Sequence, residues 1–130
     1  MNVNELMIGD WIEYNNETME VIFNARVTEV GKGYIKTDHT SGDECFEDEV
    51  EPIHITAEIL ERNGWHFCGD RRYSNNRITF ELLQNADSGF TVLHPADEYG
   101  TATIGYVENV HELQHLIRIL EGTGIKEIEL

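Results

Sequence analysis

This sequence is poor in positive charge. Nine Lys and Arg stand against 25 Asp and Glu in 130 residues, a net charge of −16. Such a surface repels phosphate, which disfavours nucleic-acid binding and adhesion to anionic membranes. It suits high solubility, another protein as partner, or divalent cations. A narrower alternative is an acidic DNA-mimic inhibitor that occupies another protein's DNA site. Cysteine is also scarce. Cys45 and Cys68 stand far apart with no C-x-x-C, so they read as reduced thiols. The opening MNVNELMIGD has neither a basic n-region nor an apolar h-region, which predicts a chain without a secretory leader and a cytoplasmic location. No apolar run approaches the ~20 residues that cross a bilayer. Proline occurs only at positions 52 and 95, with no Pro/Ser linker, so two halves packed together are expected. A Walker loop, G-x-G-x-x-G and G-x-S-x-G are all missing, and no cofactor is expected.

What is present is an ordinary globular composition, with 40% apolar residues and two Trp. The pattern predicts an α+β fold: an N-terminal SH3-like small β-barrel over 1–55, followed by a helix-on-antiparallel-sheet module over 56–130. In the first half, 10–14 (DWIEY), 19–30 (MEVIFNARVTEV), 34–37 (YIKT), 45–46 and 50–55 read as strands. Turns are expected at 15–18 and 31–33, and a loop at 39–43. The 19–30 strand is long, so a bend or bulge near Asn24-Ala25 is expected. At Thr56 the periodicity changes. Thr56 is a good N-cap, Ile55 and Leu60 stand at staple positions, and Gly64 suits a C′ glycine, which predicts a helix over 57–63. Strands are expected at 65–68, 77–83, 90–94 and 101–106, then a helix over 107–120 and a closing strand at 125–130.

That second helix spells H-E-x-x-H at 111–115 (HELQH). In a zinc hydrolase, His111 and His115 would ligate the metal and Glu112 would polarise its water. Two arguments from the residues weigh against this. Val110, Leu113, Leu116, Ile117 and Leu120 form one apolar stripe at 100° per residue, which turns both His toward solvent beside Arg118. The extended pattern needs Gly at position 118, where this chain has Arg. Glu121 falls at the remaining ligand position, yet on an unbroken helix it lies ~15 Å from His111 along the axis. Only Glu127 and Glu129 follow. The residues therefore assign no catalytic or metal site; zinc hydrolysis through Glu112, His111 and His115 is the runner-up.

Other groupings carry less. His66 and Cys68 share a strand face and, with Cys45, His39 or His54, supply zinc-binding residue types in no standard spacing; a half-buried core pair is the simpler reading. Asp43, Glu44, Glu47, Asp48, Glu49 and Glu51 form an acidic run without EF-hand spacing, best read as a charged rim or edge. Arg71-Arg72-Tyr73, next to Asn75, Asn76 and Arg77, is the one basic spot and reads as a hairpin cap paired with nearby carboxylates, or as a contact for a small anion or a partner.

Three stretches, LMIGDWIEY (6–14), IHITAEILERNGW (53–65) and YVENVHELQHLIRILEGTGIKEIEL (106–130), resemble a family of small acidic proteins from Bacteroides-type gut bacteria and their phages or mobile elements. The stretch from about 73 to 105 carries little of the likeness. The resemblance implies no catalytic residues. It also implies that Glu112 is not a family feature, because the matching helix accepts Gln there. Together, residues and resemblance point to a non-enzymatic intracellular protein-interaction module.

Overall fold

The computed structural model describes residues 1–16, 21–39, 42–96, 100–122 and 127–130. Of the positions read above, Glu17, Thr18, Met19, Glu20, Thr40, Ser41, Ile125 and Lys126 lie outside the described residues. The chain is α+β, with two antiparallel sheets. It divides into two compact units, Met1–Ile53 and His54–Leu130.

The first unit is a four-stranded sheet. Its strands are β1 (Trp11–Asn16), β2 (Val21–Val30), β3 (Ile35–Thr37) and β4 (Val50–Glu51), in the order β3-β2-β1-β4. β1 pairs with β2 without interruption from Trp11↔Arg26 to Asn16↔Val21. The bulge expected near Asn24-Ala25 is therefore elsewhere: register shifts between Val27 and Glu29 against β3, leaving Thr28 as the extra residue. The reason is alternation. Ala25 and Val27 both face the core, so the period-2 pattern is intact through Asn24 and breaks only past Val27. Val3, Leu6, Ile12, Ala25, Val27, Ile35, Cys45 and Val50 form this unit's core. Cys45 enters it through a single bridge to Ile35. Before β1, a turn at Met7–Asp10 is closed by Asp10 N–H on the Met7 carbonyl (3.1 Å), and the buried Asp10 carboxylate accepts Met7 N–H (2.8 Å).

The second unit opens on α1 (Ala57–Arg62), and every end signal is used. The Thr56 hydroxyl accepts Ile59 N–H at 3.2 Å. At the other end Trp65 N–H reaches the Leu60 carbonyl (3.0 Å) and Gly64 N–H reaches Glu61 (3.3 Å), a Schellman pair. Gly64 takes φ +87, as that turn requires. Ile55, Leu60 and Trp65 are all buried, so the staple and the C-terminal hydrophobic contact fix both chain ends of the helix.

A five-stranded antiparallel meander follows: β5 (His66–Phe67), β6 (Arg72–Ser74), β7 (Glu81–Gln84), β8 (Phe90–Ala96) and β9 (Gly100–Val107), in chain order. Two expectations are corrected here. Arg72–Ser74 is a strand, not only a basic spot, and Arg77–Phe80 is not one. Gly69, Asp70 and Arg71 all take positive φ, turning β5 tightly back into β6. The 77–80 segment instead follows a turn that closes at Ile78 N–H on the Asn75 carbonyl (3.0 Å), and delivers Phe80 against Trp65 at 5.7 Å between ring centroids. Tyr73, Leu82, Phe90 and Val92 are buried with them.

Helix α2 (Val110–Glu121) starts at Asn109 and ends at Gly122 (φ +78). Past it, the residues at 127–130 are not a strand, which corrects the expected closing strand. Ile128 is nonetheless buried. The reason is a substitute partner. The Asn63 carboxamide accepts Glu129 N–H (2.7 Å) and donates to the Glu129 carbonyl (2.7 Å), as a peptide group on a neighbouring strand would. Nδ2 also donates to the Ile59 carbonyl of α1 (2.8 Å).

Candidate functional site

The sequence singled out α2, and the structure changes the reading of its faces. Val110, His111, Leu113, Gln114 and Ile117 are the buried residues, and His111 is only 3% exposed. Leu116 is half-buried, while Leu120 is 44% and Ile119 78% exposed. At 100° per residue the buried sector is turned by roughly 70° from the expected apolar stripe. The expectation that His111 faces water is therefore wrong. Periodicity sets the angles between residues, but the helix's rotation about its axis is set by the surface it packs on. Gln114 and His111 are drawn inward on that surface, and Leu120 is turned out. His115 is half-buried, with its ring edge-on to His111 at 5.8 Å between centroids and 76° between planes.

Glu112 has a structural task. Its Oε1 accepts Asn109 N–H at 2.9 Å and Glu108 N–H at 3.2 Å. This is the side-chain-to-backbone half of a capping box at the helix start, where a carboxylate also favours the positive end of the helix dipole. Glu121, at the extended motif's remaining ligand position, is tied to Thr79: its Oε1 accepts both Thr79 N–H (2.8 Å) and the Thr79 hydroxyl (2.5 Å). Two of the carboxylates that a zincin reading would use thus terminate backbone at the two ends of α2. Glu127 pairs with Arg118 at 3.5 Å. Among the described residues no group of three His, Cys, Asp or Glu could hold a metal ion.

The other groupings separate as well. His66 and Cys68 are exposed, which corrects the expected half-buried pair; Cys68 Sγ lies 3.0 Å from the Ser74 hydroxyl. Cys45 is buried in the first unit's core, and both cysteines are free thiols. His39 packs against Phe23 with its ring tilted by 52° and the centroids 5.1 Å apart, and His54 forms a bridge with Asn109. In the acidic run, Glu47–Glu49 is a 3-10 turn. Glu49 accepts Phe46 N–H and the Tyr14 hydroxyl, both at 3.2 Å, while Glu44, Glu47 and Asp48 point to solvent. Arg71 sits exposed at the β5–β6 turn, and Arg72 faces Glu81 at 4.0 Å across β6–β7.

Two further surfaces of the second unit lie near these groups. A cleft of about 340 Å³ lies between α1, the 75–78 turn and the C-terminal segment, lined among others by Arg62, His66, Asn76, Arg77, Glu127 and Glu129. Asn75 ties its polar floor together: Nδ2 donates to the Asn63 carbonyl (3.2 Å) and Oδ1 accepts Arg77 N–H (3.0 Å). Its charges are of both signs, and Arg62 is already paired with Glu58 at 2.9 Å. The second surface is apolar: Leu120 and the half-buried Leu116, on the flank of the buried face, and Ile119, on the side opposite it, form an outward arc of α2. The signal for it was in the sequence. LIRIL (116–120) carries more apolar residues than one helix face can bury.

No protein-family model, curated protein or solved structure matches this chain. Among the described residues, no helix is long and apolar enough to cross a membrane.

Proposed function

We propose that this chain is a non-enzymatic protein-interaction module working in the cytoplasm on another protein. The observation that carries the proposal is the outward arc of α2. A helix already seated on its own core still presents Ile119 at 78% and Leu120 at 44% exposure. Contiguous exposed apolar surface is a mark of protein contact sites. A helix of this kind is read by a partner groove through residues spaced i, i+3 and i+4, here Leu116, Ile119 and Leu120. The net charge of −16 supports a partner with basic character. The first unit is assigned to the SH3-like small barrels. Its long β2, shared between β1 and β3 and bulged at Thr28, supports that assignment. The resemblance to small acidic proteins of gut bacteria and their mobile elements supports a partner of phage or mobile-element origin.

The test is quantitative capture from host lysate with the full chain and with a variant carrying Ile119→Lys and Leu120→Lys. Both positions are exposed, so the variant keeps its fold, checked by circular dichroism. The expected result is a partner captured by the native chain and reduced about tenfold or more by the variant, as for loss of central apolar anchors. A partner retained equally by both chains, or reproducible hydrolase activity lost with Glu112→Gln, would overturn the proposal.

A further inference from the structure

We propose that β9 is a docking edge that takes up an extended, basic segment of a partner protein as an added antiparallel strand. This rests on the interaction reading above but uses a different surface. β9 is the last strand of the meander and pairs only with β8 in the described sheet. Of its residues, Ala102, Thr103, Ile104 (44%) and Tyr106 (51%) are exposed.

Two features mark this edge among the described strands. The first is its composition. Edge strands are ordinarily protected by brevity, charge or proline. β3, β4 and β5 are two or three residues long, whereas β9 runs for eight, GTATIGYV, without a charge or a proline. Charged residues make up 26% of the chain, so an uncharged stretch at an open edge stands out from its background. Its only interruption is the extra residue Ile104, between the Val92↔Gly105 and Leu93↔Thr103 pairs. Regular pairing continues on both sides of that bulge.

The second feature is an unfinished sheet. β7 covers β8 only from Phe90 to Leu93, while β8 and β9 continue to pair through His94↔Ala102, Pro95↔Thr101 and Ala96↔Gly100. That end is a two-stranded ribbon, which is marginal in water unless a third strand joins it. A strand laid along β9 would extend over both the sheet and the ribbon.

Charge selects the occupant. With no charge on β9, side-chain pairs across the new ladder set no sign preference of their own. The field of the whole molecule does, and its sign is negative. A second copy would bring its own −16 to the edge, whereas a Lys- or Arg-bearing strand is drawn in.

The probe is the labelled peptide acetyl-Lys-Val-Thr-Val-Lys-Val-Thr-Val-Lys-amide, followed by fluorescence anisotropy against the full chain at about 0.15 M salt, where the Debye length is ~8 Å. Two controls share its length: one with Glu at each Lys position, and one that keeps every Lys but is N-methylated at alternate residues. The basic peptide should bind about tenfold or more tightly than either control, because main-chain hydrogen bonds supply affinity in strand addition. Backbone amides of β9 should gain hydrogen-exchange protection, and Ile104→Lys should weaken binding about fivefold or more while leaving the fold intact. Absent binding, equal binding of the N-methylated peptide, or protection outside β9 would overturn the inference. So would a chain dimer that the peptide dissociates, since a second copy would then be the occupant. A partner captured through Ile119 and Leu120 but indifferent to Ile104→Lys would remove the edge inference and leave the interaction reading standing. Peptide docking on β9 with no partner lost in the α2 variant would do the reverse.

Discussion

The two units carry unequal shares of the acidic excess and build their cores differently. In Met1–Ile53, three Lys or Arg stand against thirteen Asp or Glu, a net −10; in His54–Leu130, six stand against twelve, a net −6. The first unit is the smaller and carries the greater excess. Its core is mainly aliphatic, and Glu44, Glu47 and Asp48 sit on its surface. The second unit buries Trp65 and Phe80 and sets polar side chains to work on backbone: Glu112 and Glu121 at the ends of α2, Asn63 between α1 and the C-terminal segment. Carboxylates hold backbone in the first unit as well, where Asp10 and Glu49 accept main-chain N–H, so the units differ in the size of the acidic excess and in the aromatic core, not in whether carboxylates have structural tasks.

The largest effect expected from this contrast is at Trp65, which is fully buried against Phe80. Trp65→Ala should destabilise the second unit by about 3–5 kcal/mol, through lost burial and the cavity left behind. Denaturant unfolding read by residue-resolved hydrogen exchange checks it. Protection should fall first across α1 and β5–β9. An equal fall across β1–β4 would mean that the units unfold as one cooperative system, and would break the comparison.

A smaller effect is expected at Glu112. Glu112→Ala removes the acceptor for Asn109 N–H and Glu108 N–H and should cost about 1 kcal/mol, the usual range for a helix cap. Glu112→Gln keeps an acceptor oxygen and loses only the charge–dipole part, about 0.3–1 kcal/mol. Thermal melts of the two variants beside the native chain separate these outcomes. If Ala and Gln are equivalent, the carboxylate is not acting as a cap.

These residues also show where the sequence was legible. α1 could be read almost completely, because its signals are local: Thr56 before the helix, Ile55 and Leu60 for the staple, Gly64 after it. The α+β character and the antiparallel strands followed from alternation and turn residues. β6 was missed because RYS is too short to show a period, and its turn is made through positive φ at Asp70 and Arg71, residues that do not announce it. The face of α2 was misjudged because LIRIL offers apolar residues in too many directions for periodicity to choose among them. Glu112's task was visible, since Asn109 followed three residues later by Glu is a capping-box pattern. The five letters of HELQH drew attention to the wrong partners for it. The pin at Asn63 had no signal at all, because it joins residues 66 positions apart.

The smallest effect has the opposite sign. Asp48 is exposed in the acidic run of the first unit, where like charges repel one another. Asp48→Lys should therefore raise that unit's stability by a few tenths of a kcal/mol, about 0.3, the scale of exposed charge interactions. The gain should vanish near 1 M salt, where the Debye length shrinks to ~3 Å. Stability measured by urea unfolding at low and high salt makes the check. A gain that survives high salt would come from local helix or turn preference, not from charge. No gain at low salt would mean that the carboxylates of the first unit are already far enough apart to ignore one another. The −10 would then be a property of its surface alone, and the contrast with the second unit would rest on the aromatic core around Trp65.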